Sequence, residues 1–162
     1  MTLTAWPCSW SRARAAEPSA STQAARHSVS VAGVITDDHG RALLIQRRDN
    51  HRWEPPGGVL ELAEGIHDGL RREVREETGL AVEPVTLTGV YKNVTRGIVA
   101  LVFCCKVTGG HLTTNDEVAA FRWASQSEIG SLMAEAYAVR VLDALAADDP
   151  PAVRDHNGIR LV

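Results

Sequence analysis

No stretch of this 162-residue chain strings together apolar residues for a membrane-spanning helix, which needs roughly 18 or more, and the apolar core of a secretory leader is missing too. Cysteine is scarce: three residues, Cys8, Cys104 and Cys105, an odd count with two of them adjacent. That excludes a disulfide framework and leads us to expect a reducing, cytoplasmic setting. No CxxC pair or histidine spacing accompanies them, so a zinc site is not expected. An excess of basic charge is also lacking. The net charge is -3, which gives no general electrostatic footprint for nucleic acid. Internal repeats are absent. What is present, 44% hydrophobic and 23% charged residues, suits one ordinary globular domain.

Residues 1–27 are rich in Ala, Ser and Arg without a sustained period and read as a disordered extension. The domain is expected over 28–148, followed by a tail over 149–162 in which Asp155-His156-Asn157-Gly158 could turn a short hairpin. Strands are expected at Ser28–Ile35 and Ala42–Arg48, joined as a hairpin through Asp37-Asp38-His39-Gly40. A short strand follows at Gly58–Glu61. Val82–Lys92 and Gly97–Val107 read as longer strands, the second carrying the apolar run Ile98–Cys105 of a strand buried on both faces. Gly109-Gly110 is expected to break the chain before a strand at Glu117–Trp123. Ser125 and Glu128 form a capping box for a second helical region, with a break near Glu135. One helix in the middle and one at the end, around a mixed sheet, predict an α/β/α sandwich.

The middle helix carries an apolar stripe of Ile66, Leu70 and Val74, and Gly79 stands where a left-handed residue stops a helix. Glu73, Glu76 and Glu77 sit at i, i+3 and i+4, which puts three carboxylates on one flank. Such like charges repel. A hard divalent cation, Mg²⁺ or Mn²⁺, is the expected compensation, because carboxylate oxygens are its preferred ligands.

Gly58, Glu64, Arg72, Glu73, Val74, Glu76, Glu77, Gly79 and Leu80 fill every defined position of the pattern G-x5-E-x7-R-E-U-x-E-E-x-G-U, with U a bulky aliphatic. The chain therefore resembles the Nudix hydrolases, over roughly Ser28 to Ala147. The resemblance implies a Nudix-type α/β/α sandwich with a central mixed β-sheet. It implies that Glu73, Glu76 and Glu77, with the carbonyl of Gly58, hold the metal against a diphosphate. Arg72 is expected to turn away from the metal face and pair with Glu64 as structural support. Family members take a further glutamate from outside this motif as base. Glu117 fits that place, with Asp116 as its rival. Arg47 and Arg48 end the second strand on opposite faces, so either one could reach a phosphate.

The resulting expectation is a divalent-metal-dependent hydrolase of a nucleoside diphosphate linked to another moiety, specifically a MutT-like (d)NTP pyrophosphohydrolase. The alternatives are a hydrolase of nucleotide sugars or dinucleotides, and a non-catalytic nucleotide sensor. The intact glutamate set argues against the sensor. The expected partner is a small nucleotide, and a homodimer is left open.

Overall fold

The computed structural model describes residues 25–146 and 150–162. The extension expected over 1–27, with Cys8, lies outside the described residues as far as residue 24. Along the chain run β1 (Ser28–Ile35), β2 (Ala42–Arg47), β3 (Trp53–Glu54), β4 (Gly57–Val59), α1 (Ile66–Thr78), β5 (Leu80–Asn93) and β6 (Ile98–Gly110). They are followed by β7 (Val118–Ala124), α2 (Gln126–Leu132), α3 (Glu135–Ala146) and β8 (Ala152–His156). A five-stranded mixed sheet has the order β4-β1-β6-β5-β8, and a second sheet has the order β3-β2-β7.

Two cores make this a sandwich. Side chains alternate across a strand, so Val31 and Ile35 of β1 pack with Leu70 and Val74 of α1, while Ala32 and Val34 face Ala138, Val141 and Ala144 of α3. Strand β6 alternates likewise, with Val102 in the α3 core and Phe103 and Cys105 in the α1 core. The expected strand buried on two faces is thus present. In β2, Leu43 joins the α1 core and Leu44 the α3 core, which ties the smaller sheet into both layers.

Helix α1 ends as its sequence requires. Gly79 adopts φ 80° and donates its N–H to Arg75 O at 2.9 Å, a left-handed stop that a side chain would strain. The apolar stripe is shorter than expected, because Ile66 is 44% exposed while Leu70 and Val74 are fully buried. The buried face is completed at the other end by Glu77 and Thr78. The capping box forms as read: Ser125 N and Oγ both donate to Glu128 Oε2, at 2.8 and 2.7 Å. The break between the last two helices falls at Met133-Ala134.

Three expectations are corrected. Strands β1 and β2 are not a hairpin; they meet only at a Thr36–Ala42 bridge and then enter different sheets. The reason is β2's alternating leucines, which serve two cores and are satisfied by pairing β2 with β3 and β7. Gly109-Gly110 does not interrupt β6, since Gly110 still pairs with Leu80. The residues after 149, expected as a short hairpin or a tail, supply β8, which runs parallel to β5 from Ala152 opposite Gly89 to His156 opposite Asn93, and the chain then turns back so that Leu161 bridges His156. That pairing satisfies the outer edge of β5, which would otherwise present unpaired backbone groups.

Leu70 is fully buried between α1 and the sheet. Leu70→Ala is expected to lose about 2–5 kcal/mol through the cavity it leaves, measured by urea unfolding.

Candidate active site

Strand β4 lies at the edge of the larger sheet, and α1 packs across it. The approach is very close at Gly58. A Cβ there would fall 2.4 Å from the Glu73 carboxyl, so a side chain at this position would force that carboxyl to move. One residue earlier, the Gly57 N–H donates to Glu77 Oε2 at 2.7 Å. Glu73, Glu76 and Glu77 thereby line one cavity of about 570 Å³ with Gly58, Arg47 and the loop Asn115-Asp116-Glu117.

The three carboxylates are not equivalent. Glu77 is 4% exposed, whereas the Glu76 side chain is 60% exposed. Burial pushes the Glu77 carboxyl up to about 8; Glu54 and Glu73 add to the effect, while the Gly57 amide and Arg47 oppose it. Burial raises Glu73 too, partly offset by Arg72. Glu54 is raised by its own burial against the pull of Arg47.

Arg72 does hold Glu64, with Nε donating to Oε1 at 2.7 Å and Nη2 to Oε2 at 3.0 Å. Glu64 is accordingly held below its ordinary value. Arg72 does not turn away from the other glutamates, however. Its Nη1 donates to Glu73 Oε1 at 2.9 Å and to Glu76 Oε2 at 3.0 Å. The like-charge repulsion of the cluster is therefore relieved by a protein cation at one end, and the buried Glu77 at the other end is left with little compensation.

The two strand-end arginines part company. Arg47 faces the cavity, 3.4 Å from Glu54 and 4.0 Å from Glu77. Arg48 instead donates from Nε to Asn115 O at 2.7 Å, and its backbone N–H reaches Glu117 O at 2.8 Å, so it pins the loop. Two contributors were missed in the sequence. Asn115 Nδ2 donates to Glu76 O and Glu77 O at 2.7 and 3.3 Å, tying the loop to the end of α1. Glu54 shares Arg47 with Glu77 and raises the Glu77 carboxyl; its place just before Pro55-Pro56-Gly57-Gly58 was the available signal. Asp116 and Glu117 both line the cavity, which leaves the two candidate bases side by side.

Among the described residues no three histidine, cysteine or acidic groups already converge as a metal cage; Arg72 spans Glu73 and Glu76. The donor chemistry nevertheless suits a hard divalent ion: carboxylates at the wall of an open cavity, one of them buried and short of positive charge.

A NUDIX domain model matches residues 26–145. A MutT-like protein of Streptomyces ambofaciens is 53% identical over 146 residues, covering 90% of this chain and 94% of that one. An ADP-ribose pyrophosphatase of Methanocaldococcus jannaschii is 35% identical over 55% of this chain and 56% of its own length. In fold, a NUDIX hydrolase from Nitrosomonas europaea aligns with TM-score 0.70 at 19% identity, covering 83% of this chain and 82% of that one. The chain belongs to the Nudix hydrolase family.

The buried glutamate makes a pH prediction. The unfolded carboxyl titrates near 4.5 and the folded one near 8, so the folded state keeps a proton that the unfolded chain releases, and stability falls as pH rises across that window. Glu77→Gln has no such loss. In EDTA its thermal midpoint should match wild type at about pH 4 and exceed it increasingly up to about pH 8. A gap that did not vary with pH would contradict the burial argument.

Proposed function

We propose that the chain is a divalent-metal-dependent hydrolase of nucleoside diphosphates linked to another moiety, and specifically a MutT-like nucleoside triphosphate pyrophosphohydrolase. The observation that carries this reading is the buried, undercompensated Glu77 beside Glu73 and Glu76 in a cavity that also holds Arg47. The coarse class is supported by the family. The MutT-like type is supported by the MutT-like relative, which matches nearly end to end, while the ADP-ribose pyrophosphatase matches over about half its length.

Glu73, Glu76, Glu77 and the Gly58 carbonyl would hold Mg²⁺ or Mn²⁺. When bound, such an ion neutralises phosphate oxygens and lowers the pKa of a coordinated water. The residues do the rest. Arg47 binds a phosphate oxygen, and Arg72 with Glu64 fixes the β4–α1 connection. Asn115 and Arg48 hold Glu117 at the rim, where it takes the proton of the attacking water. Water adds to one phosphorus, the bridging P–O bond breaks, and both products leave carrying phosphate.

With nucleoside triphosphates and Mg²⁺, release of pyrophosphate and monophosphate is expected, and EDTA should abolish it. Glu76→Gln and Glu77→Gln should each cost about 10²-fold or more in kcat, as loss of a principal electrostatic group does. Full activity of both variants, or full activity without metal, would overturn the reading.

A further inference from the structure

After β8 the chain turns back on itself. Asn157 Oδ1 accepts the N–H groups of Ile159 and Arg160, both at 2.9 Å, and Val162 N–H donates to Asp155 O at 3.1 Å. This C-terminal hairpin is fastened at two further points. Ala136 N–H, in the first turn of α3, donates to Ile159 O at 3.0 Å, and Val94 N–H donates to His156 O at 2.9 Å. Gly158 and Ile159 thereby wall a groove of about 660 Å³ with Met133, Tyr137 and Arg47. Arg47 also lines the glutamate cavity, so the hairpin borders the approach to the candidate site.

His156 is the unusual group of this hairpin. It is 0% exposed, and two N–H groups converge on its ring. Gly158 N–H approaches Nδ1 at 3.0 Å, and Arg140 Nη2 lies 3.1 Å from Nε2. A neutral imidazole has one ring acceptor and can serve one of these donors; an imidazolium has none and serves neither. The surrounding charges add to this constraint. Arg140, from α3, would meet a protonated ring as a second cation. Asp155, the exposed neighbour in β8, acts the other way. Arg154, two residues earlier, is turned to Asp143 of α3 at 2.7 Å, so these two charges answer one another. Tyr137 of α3 and Tyr91 of β5 present their ring faces to Arg140, at 4.7 and 5.7 Å. Arg160, beyond the turn, is exposed.

We propose that His156 is an acid-released latch: its neutral ring holds the C-terminal hairpin closed, and its protonation frees the hairpin from α3 and opens that wall of the groove. The closed geometry does not accommodate an imidazolium, because Gly158 N–H and Arg140 would each face a donor. In the open state the ring meets water and takes up a proton near its ordinary value of 6.5. The closed ring binds that proton more weakly, since burial and Arg140 hold it below 6.5 against the pull of Asp155. The open state therefore binds more protons, and closure weakens as pH falls below about 6.5. Each further pH unit favours opening by about tenfold while the closed ring stays neutral. Well above that value the latch is indifferent to pH.

The latch is read without turnover and stands apart from the reaction proposed above. Amide hydrogen exchange of the full chain by NMR, corrected for the intrinsic pH dependence of exchange, follows the hairpin directly. Ala136 and Val162 should lose about tenfold in protection between about pH 7 and pH 5.5, while Val102 in the central strand stays far better protected than either. His156→Asn keeps an oxygen acceptor near the place of Nδ1 but takes no proton, so protection of the same two amides should be flat over that range. Should this variant fail to fold, the ring nitrogen shifts of wild-type His156 decide: a neutral ring in the closed hairpin at about pH 5.5 supports the latch, and an imidazolium inside a closed hairpin overturns it. Flat protection in wild type, an equal loss in His156→Asn, or Ala136 protected no less than Val102 at every pH would also overturn it.

Discussion

The site depends on a carboxylate that the fold buries at the junction of α1 and β4. An ionised group taken from water costs several kcal/mol unless it is paired. Glu77 receives one backbone amide from Gly57 and a distant Arg47, and it faces two further carboxylates. The glycines of β4, the crossing of α1 over the sheet edge and the left-handed stop at Gly79 all serve to bring it there. The protein supplies too little positive charge for the group it has buried, and a bound cation would complete the balance.

The arginines divide the remaining work. Arg72 clips the β4–α1 connection through Glu64 and quiets Glu73 and Glu76. Arg47, paired with Asp49 and Glu54, lines one face of the cavity, and Arg48 fastens the loop that presents Asp116 and Glu117. Arg140 has no carboxylate partner among the described residues and meets the buried ring of His156.

What could be read in the chain was local. The stop at Gly79, the capping box at Ser125 and Glu128, and the shared flank of Glu73, Glu76 and Glu77 follow from spacing along one element, and each is found. The Glu64–Arg72 pair was legible through the family pattern. Pairings between distant segments were not. Nothing in Ala152–His156 announces a parallel partner at Gly89–Asn93, and the leucines of β2 do not say which sheet they will join. Glu54 escaped notice for the same reason, because its effect on Glu77 arises only once the chain has folded. Arg72 was half understood: its pairing with Glu64 was expected, but its reach to Glu73 and Glu76 depends on side-chain direction along the helix flank.

The central claim is that Glu77 is a buried carboxyl awaiting a cation, and proton release reads it most directly. Metal ligands must shed their protons on binding. A carboxyl raised to about 8 is largely protonated at neutral pH. Mn²⁺ titrated into the full chain in weak buffer at about pH 7 should bind and release close to one proton per ion, and Glu77→Gln should bind more weakly and release almost none. Mn²⁺ binding of equal strength in both proteins, with no proton released by either, would contradict the account.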